Sequence, residues 1–159
     1  MSTDENSLEL IFDITREALK TQMEQKASLE NKANMLLVFA GGILALLMNA
    51  WNTIIEFPIL SQQIILGSVV LFSISVILAM VVVWVRKLRM DPDPDNLAKN
   101  YLNQPQATTK LQLISNWNET WKVNMDMIER NALFLRVAFG FQVSAFLLLG
   151  TAFGLSIFA

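Results

Sequence analysis

Two residue types are missing from this chain altogether, cysteine and histidine. Without cysteine there is no disulfide and no thiolate nucleophile. Without histidine the commonest zinc ligand and the usual general base at neutral pH are gone too. Charge is also scarce: 12 Lys and Arg face 14 Asp and Glu, for a net −2. That balance sets up no field that would recruit a nucleic-acid polymer or pull the chain onto an acidic surface. No catalytic constellation takes the place of the missing residues. Asp126 and Glu129 fall near one helix face, but with Lys122 and Arg130 beside them they read as a solvated surface. The chain is therefore expected not to be an enzyme and to carry neither cofactor nor metal.

Apolar residues are abundant, at 53%, and they are gathered into three blocks instead of being spread around one soluble core. The blocks are Met35 to Trp51, Ile59 to Val85 and Ala132 to Phe158. Each is long enough to cross a hydrocarbon layer of roughly 30 Å, the first only just. Backbone groups in lipid must be satisfied within their own segment, so all three are expected to be helices. The fold class is thus an all-α integral membrane protein: an N-terminal amphipathic helix, three transmembrane helices, and a long third helix extending into the cytoplasm. No cleavable signal peptide is expected, because the first thirty residues are polar and open on Asp4 and Glu5.

The chain divides accordingly into a cytoplasmic amphipathic helix (1–33), a transmembrane hairpin (34–85), a cytoplasmic Asp/Pro loop (86–107) and a final helix (108–159) that passes from cytoplasm through the third span. In the first segment Leu8, Ile11, Ile14, Ala18 and Leu19 make one apolar stripe at helical spacing, and no Gly or Pro intervenes before Gly41. The turn after the first span, WNTIIEFP, holds Glu56 and no basic residue; Pro58 suits the first position of the next helix. Arg86, Lys87 and Arg89 follow the second span directly, and Arg16, Lys20, Lys26 and Lys32 precede the first. By the positive-inside rule both ends are cytoplasmic, so the C-terminus lies outside a cell inner membrane. In the loop, Asp91, Asp93 and Asp95 imitate a calcium loop. Asn96 stands where that motif needs Gly and Leu102 where it needs Glu, so a short helix over 95–102 capped by Asp95 is the better reading.

From Leu111 a heptad seam can be read, with Leu111, Asn118, Met125 and Ala132 at one position and Ile114, Trp121, Ile128 and Leu135 at the other. Asn118 has the character of the polar residue that fixes register and stoichiometry. The seam fits either the N-terminal arm of the same chain or further copies of itself. Trp51 and Trp84 read as interface anchors; Trp117 and Trp121, outside the lipid, read as packing residues, with stacking on a ligand base as the alternative. In the third span Gln142 is costly unless it faces another helix or a water-filled lumen, and Arg136 lies close enough to the cytoplasmic end either to snorkel or to serve at an inner mouth or in an ion pair. Gly150 with Gly154, and Gly140 with Ser144, are small-xxx-small pairs of the kind that pack helices closely, within one subunit or between subunits.

A helix, a helical hairpin, a DP…LA…YL…P loop and a helix entering a last span together form a recognisable order. Its positions are Asp93, Pro94, Leu97, Ala98, Tyr101, Leu102 and Pro105, then Asn124, and Leu135, Arg136 and Ala138. In this the chain resembles the small prokaryotic membrane effectors called SLATT and PycTM-like proteins, departing from them at Asn131, where their pattern has a lysine. The resemblance implies a role in anti-phage defence, with a cyclic nucleotide or a cytoplasmic sensor protein triggering an oligomeric effector that permeabilises the inner membrane. The expected partners are the lipid bilayer and further copies of the chain, with no nucleic-acid polymer. The alternative is a membrane anchor or accessory subunit that docks a separate cytoplasmic enzyme.

Overall fold

Prolines set where two of the helices begin. In the computed structural model, which describes residues 3–84 and 104–157 (side chains from Ser7), the helices are α1 (Thr3–Asn49), the one-turn α2 (Trp51–Ile54), α3 (Ile59–Val83) and α4 (Gln106–Ile157). Pro58 and Pro105 stand immediately before α3 and α4, and each carbonyl accepts a first intrahelical bond, from Gln62 N at 3.1 Å and Thr109 N at 3.1 Å. A proline has no N–H to leave unpaired there, and it pushes the preceding residue out of helical geometry, so it ends one element as it starts the next. Pro58 is thus the cap of α3, one position earlier than the sequence predicts. The loop helix expected over 95–102, the Asp91–Asp93–Asp95 cluster and the basic Arg86, Lys87 and Arg89 lie outside the described residues.

The helix α1 runs without interruption from the polar arm into the first apolar block, as expected from the absence of breakers. Three helices, α1, α3 and α4, are long and apolar enough to cross a membrane. The 25 residues of α3 rise about 38 Å, which covers a hydrocarbon core with room for tilt. The turn between α1 and α3 contains the single helical turn α2. Gln62 Nε2 closes it by donating to the carbonyls of Ile55 and Phe57, both at 2.9 Å.

The chain falls into two compact units, Met1–Ser28 with Arg86–Arg130, and Leu29–Val85 with Asn131–Ala159. The second is a three-helix bundle organised by small residues at every seventh position. On α3 these are Ser61, Ser68 and Ser75, at 0–1% exposure; on α4 they are Ala138, Ala145 and Ala152, all at 0%; on α1 they are Ala33 and Ala40. Small side chains let backbones approach where lipid gives no hydrophobic drive between helices, and close contact then supplies the attraction. Larger side chains fill the steps between. Ile65, Phe72, Leu47 and Leu149 form one cluster with Ile54, and Val82, Ala79 and Leu135 another. Phe146 meets Phe39 at 5.1 Å and Phe72 edge-on at 5.4 Å.

In the first unit, α1 packs on α4 through Phe12 and Trp117, with ring centroids 5.0 Å apart. Lys110 lies over the Phe12 ring and pairs with Glu9 at 3.1 Å. Gln22, 3% exposed, donates to the Trp121 carbonyl at 2.9 Å. Of the apolar stripe read on the arm, Leu8, Ala18 and Leu19 are half-buried, as Phe12 is, while Ile11 and Ile14 stay 49% and 60% exposed and Gln22 is the buried position.

Candidate functional site

Gln142 is buried within the membrane bundle, at 3% exposure. It faces α3. Ser75 Oγ donates to the Ala138 carbonyl at 2.8 Å and makes a longer contact of 3.5 Å with Gln142 Oε1. An interhelical bond of this kind in a membrane contributes about 0.6–1.7 kcal/mol. Ser68 instead donates to the Ile65 carbonyl of its own helix at 2.7 Å, and Ser61 Oγ is buried with no partner. Sequence reasoning singled out Gln142 and missed its serine, although the seven-residue spacing of Ser61, Ser68 and Ser75 was there to be seen.

The seam residues occupy a face adjacent to the buried one. Along α4 the inward residues are Leu113, Thr120 and Asn124, then Ile128, Asn131, Leu135, Ala138, Gln142, Ala145, Leu149 and Ala152, with half-buried Trp117 among the first group. The steps of three and four alternate except at Thr120, Asn124 and Ile128, where two fours follow one another. Such a stutter turns the buried stripe, because a straight helix drifts by about 20° per heptad against a strict seven-residue repeat. N-terminal to it, the inward set is one residue away from the heptad read off the sequence. Leu111 and Trp121 are therefore 58% and 37% exposed, and Asn118 is exposed. Ile114 and Met125 are half-buried, Met125 touching Gln22 through its sulfur, and Ile128 is buried within the chain.

The glycines have open space beside them. A Cβ added at Gly150 or Gly154 would meet nothing within 4 Å, and the same holds at Gly41, Gly42 and Gly140. These small residues serve no close approach inside one chain. Arg136 is exposed and lines an open groove that Lys32 also lines. Asp126, Glu129, Lys122 and Arg130 are all exposed, as a solvated face should be. Trp51 and Trp84, at 53% and 77% exposure, flank the spans as interface anchors do.

Three apolar helices with a buried polar seam define the class: an all-helical, multi-span membrane protein. Residues 14–119, two thirds of the chain, match the model of the PycTM family, described as the Pycsar effector protein domain. The chain belongs to that family, one of membrane effectors rather than known enzymes, and so is a membrane effector of the Pycsar anti-phage system, triggered by a cyclic-nucleotide signal. No curated protein and no solved structure matches it. The matched segment holds the arm from Ile14 onward, the hairpin and the start of α4. It stops short of Gln142, Arg136, Gly150 and Gly154, whose roles rest on the geometry alone.

Proposed function

We propose that the protein acts as a symmetric homo-oligomer in a cell inner membrane and permeabilises it when a cyclic nucleotide, or a cytoplasmic sensor protein carrying that signal, engages the first unit. The observation that carries this reading is apolar surface in the unit that is too charged to lie in lipid. Leu10, Ile11 and Ile14 on α1 and Leu111, Trp121 and Val123 on α4 are 37–62% exposed there. Apolar surface of that kind marks a face that another protein covers. The uncovered set includes Leu111, Asn118 and Trp121 of the heptad seam, which favours further copies of the same chain. In the membrane bundle, Gly150 and Gly154 give a neighbouring helix a close approach.

One chain leaves Gln142 against α3, so a lumen must form between copies or by parting α3 from α4. Either route uses Gln142 and Arg136 as the polar positions near the path. The N-terminus and the loop after α3 are cytoplasmic in this reading, and the C-terminus is outside.

The test is dye release from liposomes holding the purified full chain, with and without a panel of cyclic nucleotides. Release that depends on protein and is raised by one nucleotide is expected. If no member of the panel, and no protein density, makes the vesicles leak, the reading gives way to a membrane anchor that docks a cytoplasmic enzyme.

A further inference from the structure

The second unit contains two basic residues in all, Lys32 and Arg136, and both line the same groove. It has a volume of about 500 Å³ and runs between α1 and α4, lined from α1 by Leu29, Lys32, Met35 and Leu36 and from α4 by Ala132, Leu135, Arg136 and Phe139. Leu135 is buried, whereas Met35 and Phe139, at 71% and 58% exposure, leave the cleft open along its outer side. Lys32 stands just before the first apolar block, one helical turn ahead of Met35 and Leu36 on α1, and Arg136 stands about one turn inside the third, one turn ahead of Phe139 on α4. Neither has an ion-pair partner among the described residues, and Glu30, the acidic residue nearest in sequence to Lys32, does not line the groove.

We propose that this groove is a binding site for an anionic phospholipid, with the phosphate between Lys32 and Arg136 and one acyl chain lying along Met35, Leu36 and Phe139. Three features on these helices select that occupant. The cleft is apolar along its length and open to the bilayer, so a chain enters sideways without leaving lipid. Its two charges have the same sign and sit where long side chains reach the headgroup layer by snorkelling. A basic cleft between transmembrane helices is the arrangement that holds anionic headgroups. A soluble phosphate ester would satisfy the cations but leave the apolar walls uncovered. The site needs only that the three helices span a membrane; it does not depend on pore formation.

The experiment is native mass spectrometry of the full chain in detergent, titrated with phosphatidylglycerol or with phosphatidylcholine carrying the same tails. Wild type should retain the anionic lipid at least tenfold better. Lys32→Gln and Arg136→Gln should each lower that retention about fivefold, and the double variant should lose the preference. Lys32→Arg should keep it. Ala132→Phe, which narrows the cleft and spares both charges, should also release the lipid. Both cations are exposed, so helix content by circular dichroism should stay unchanged in the charge variants. Equal retention of the two lipids by wild type would overturn the proposal, as would a preference that survives in the double variant. So would displacement of the lipid by excess uridine monophosphate, which assigns the cations to a soluble phosphate, or a lipid-free dimer whose groove is closed by a second copy. Because the readout is lipid mass, a protein that binds lipid yet never leaks would still uphold this site.

Discussion

Ser61 and Ser75 lie on one stripe of α3 and are equally buried, yet only Ser75 reaches across to α4. A hydroxyl that replaces lipid with a carbonyl partner stabilises the bundle; one buried without a partner carries the cost of lost solvation. Ser75→Ala should accordingly destabilise the bundle by about 0.6–1.7 kcal/mol, while Ser61→Ala should be neutral or slightly stabilising, as read by unfolding titrations in mixed detergent micelles. Gln142→Leu keeps similar volume and insertion, and is expected to reduce triggered ion flux in liposomes at matched protein level. Equal losses for both serine variants would mean that the Ser75–Ala138 bond contributes nothing specific.

Along α4 the stutter separates two uses of one helix. The inward stripe is consumed by packing within the chain, and Leu111, Asn118 and Trp121 are left facing away. A polar residue in an apolar seam lowers stability while excluding other registers. Asn118→Leu should therefore raise the melting temperature of the assembly and broaden its stoichiometry in mass measurements of the detergent particle. Gly150→Leu is the companion variant: its new side chain meets nothing in its own chain, so the helical spectrum should persist while the particle becomes smaller. An Asn118→Leu particle of unchanged mass and melting would remove the seam from the contacts between copies.

At the scale of the whole molecule the charge distribution predicts an orientation. Three charge asymmetries agree: basic residues before the first span, basic residues after the second, and none in the turn between. The chain has no native cysteine, so single cysteines can be introduced on a clean background. Cysteines at Ser7 and Asn103 should resist a membrane-impermeant maleimide added to intact cells, and one at Asn52 should react. The reverse pattern would invert the topology.

The sequence by itself determined how many spans there are, that they are helices, and roughly where each begins, because length and apolarity are properties of a single continuous stretch. The α4 start at Gln106 differs from the expected one by only two residues, and the unbroken α1 follows from the lack of Gly or Pro up to Gly41. The tertiary structure alone decided which face of each helix turns inward. A strict heptad extended back from Ile128 reaches Trp121 and Ile114, whereas the stutter brings Thr120 and Leu113 to the buried side. Residues far apart in the chain also had to be brought together to make a site. Nothing local to Lys32 indicates that it shares a groove with Arg136, and nothing local to Gln142 names Ser75 as its neighbour. Such pairings depend on the relative rotation of helices, which is set by how their small and large side chains interlock and not by the composition of either helix.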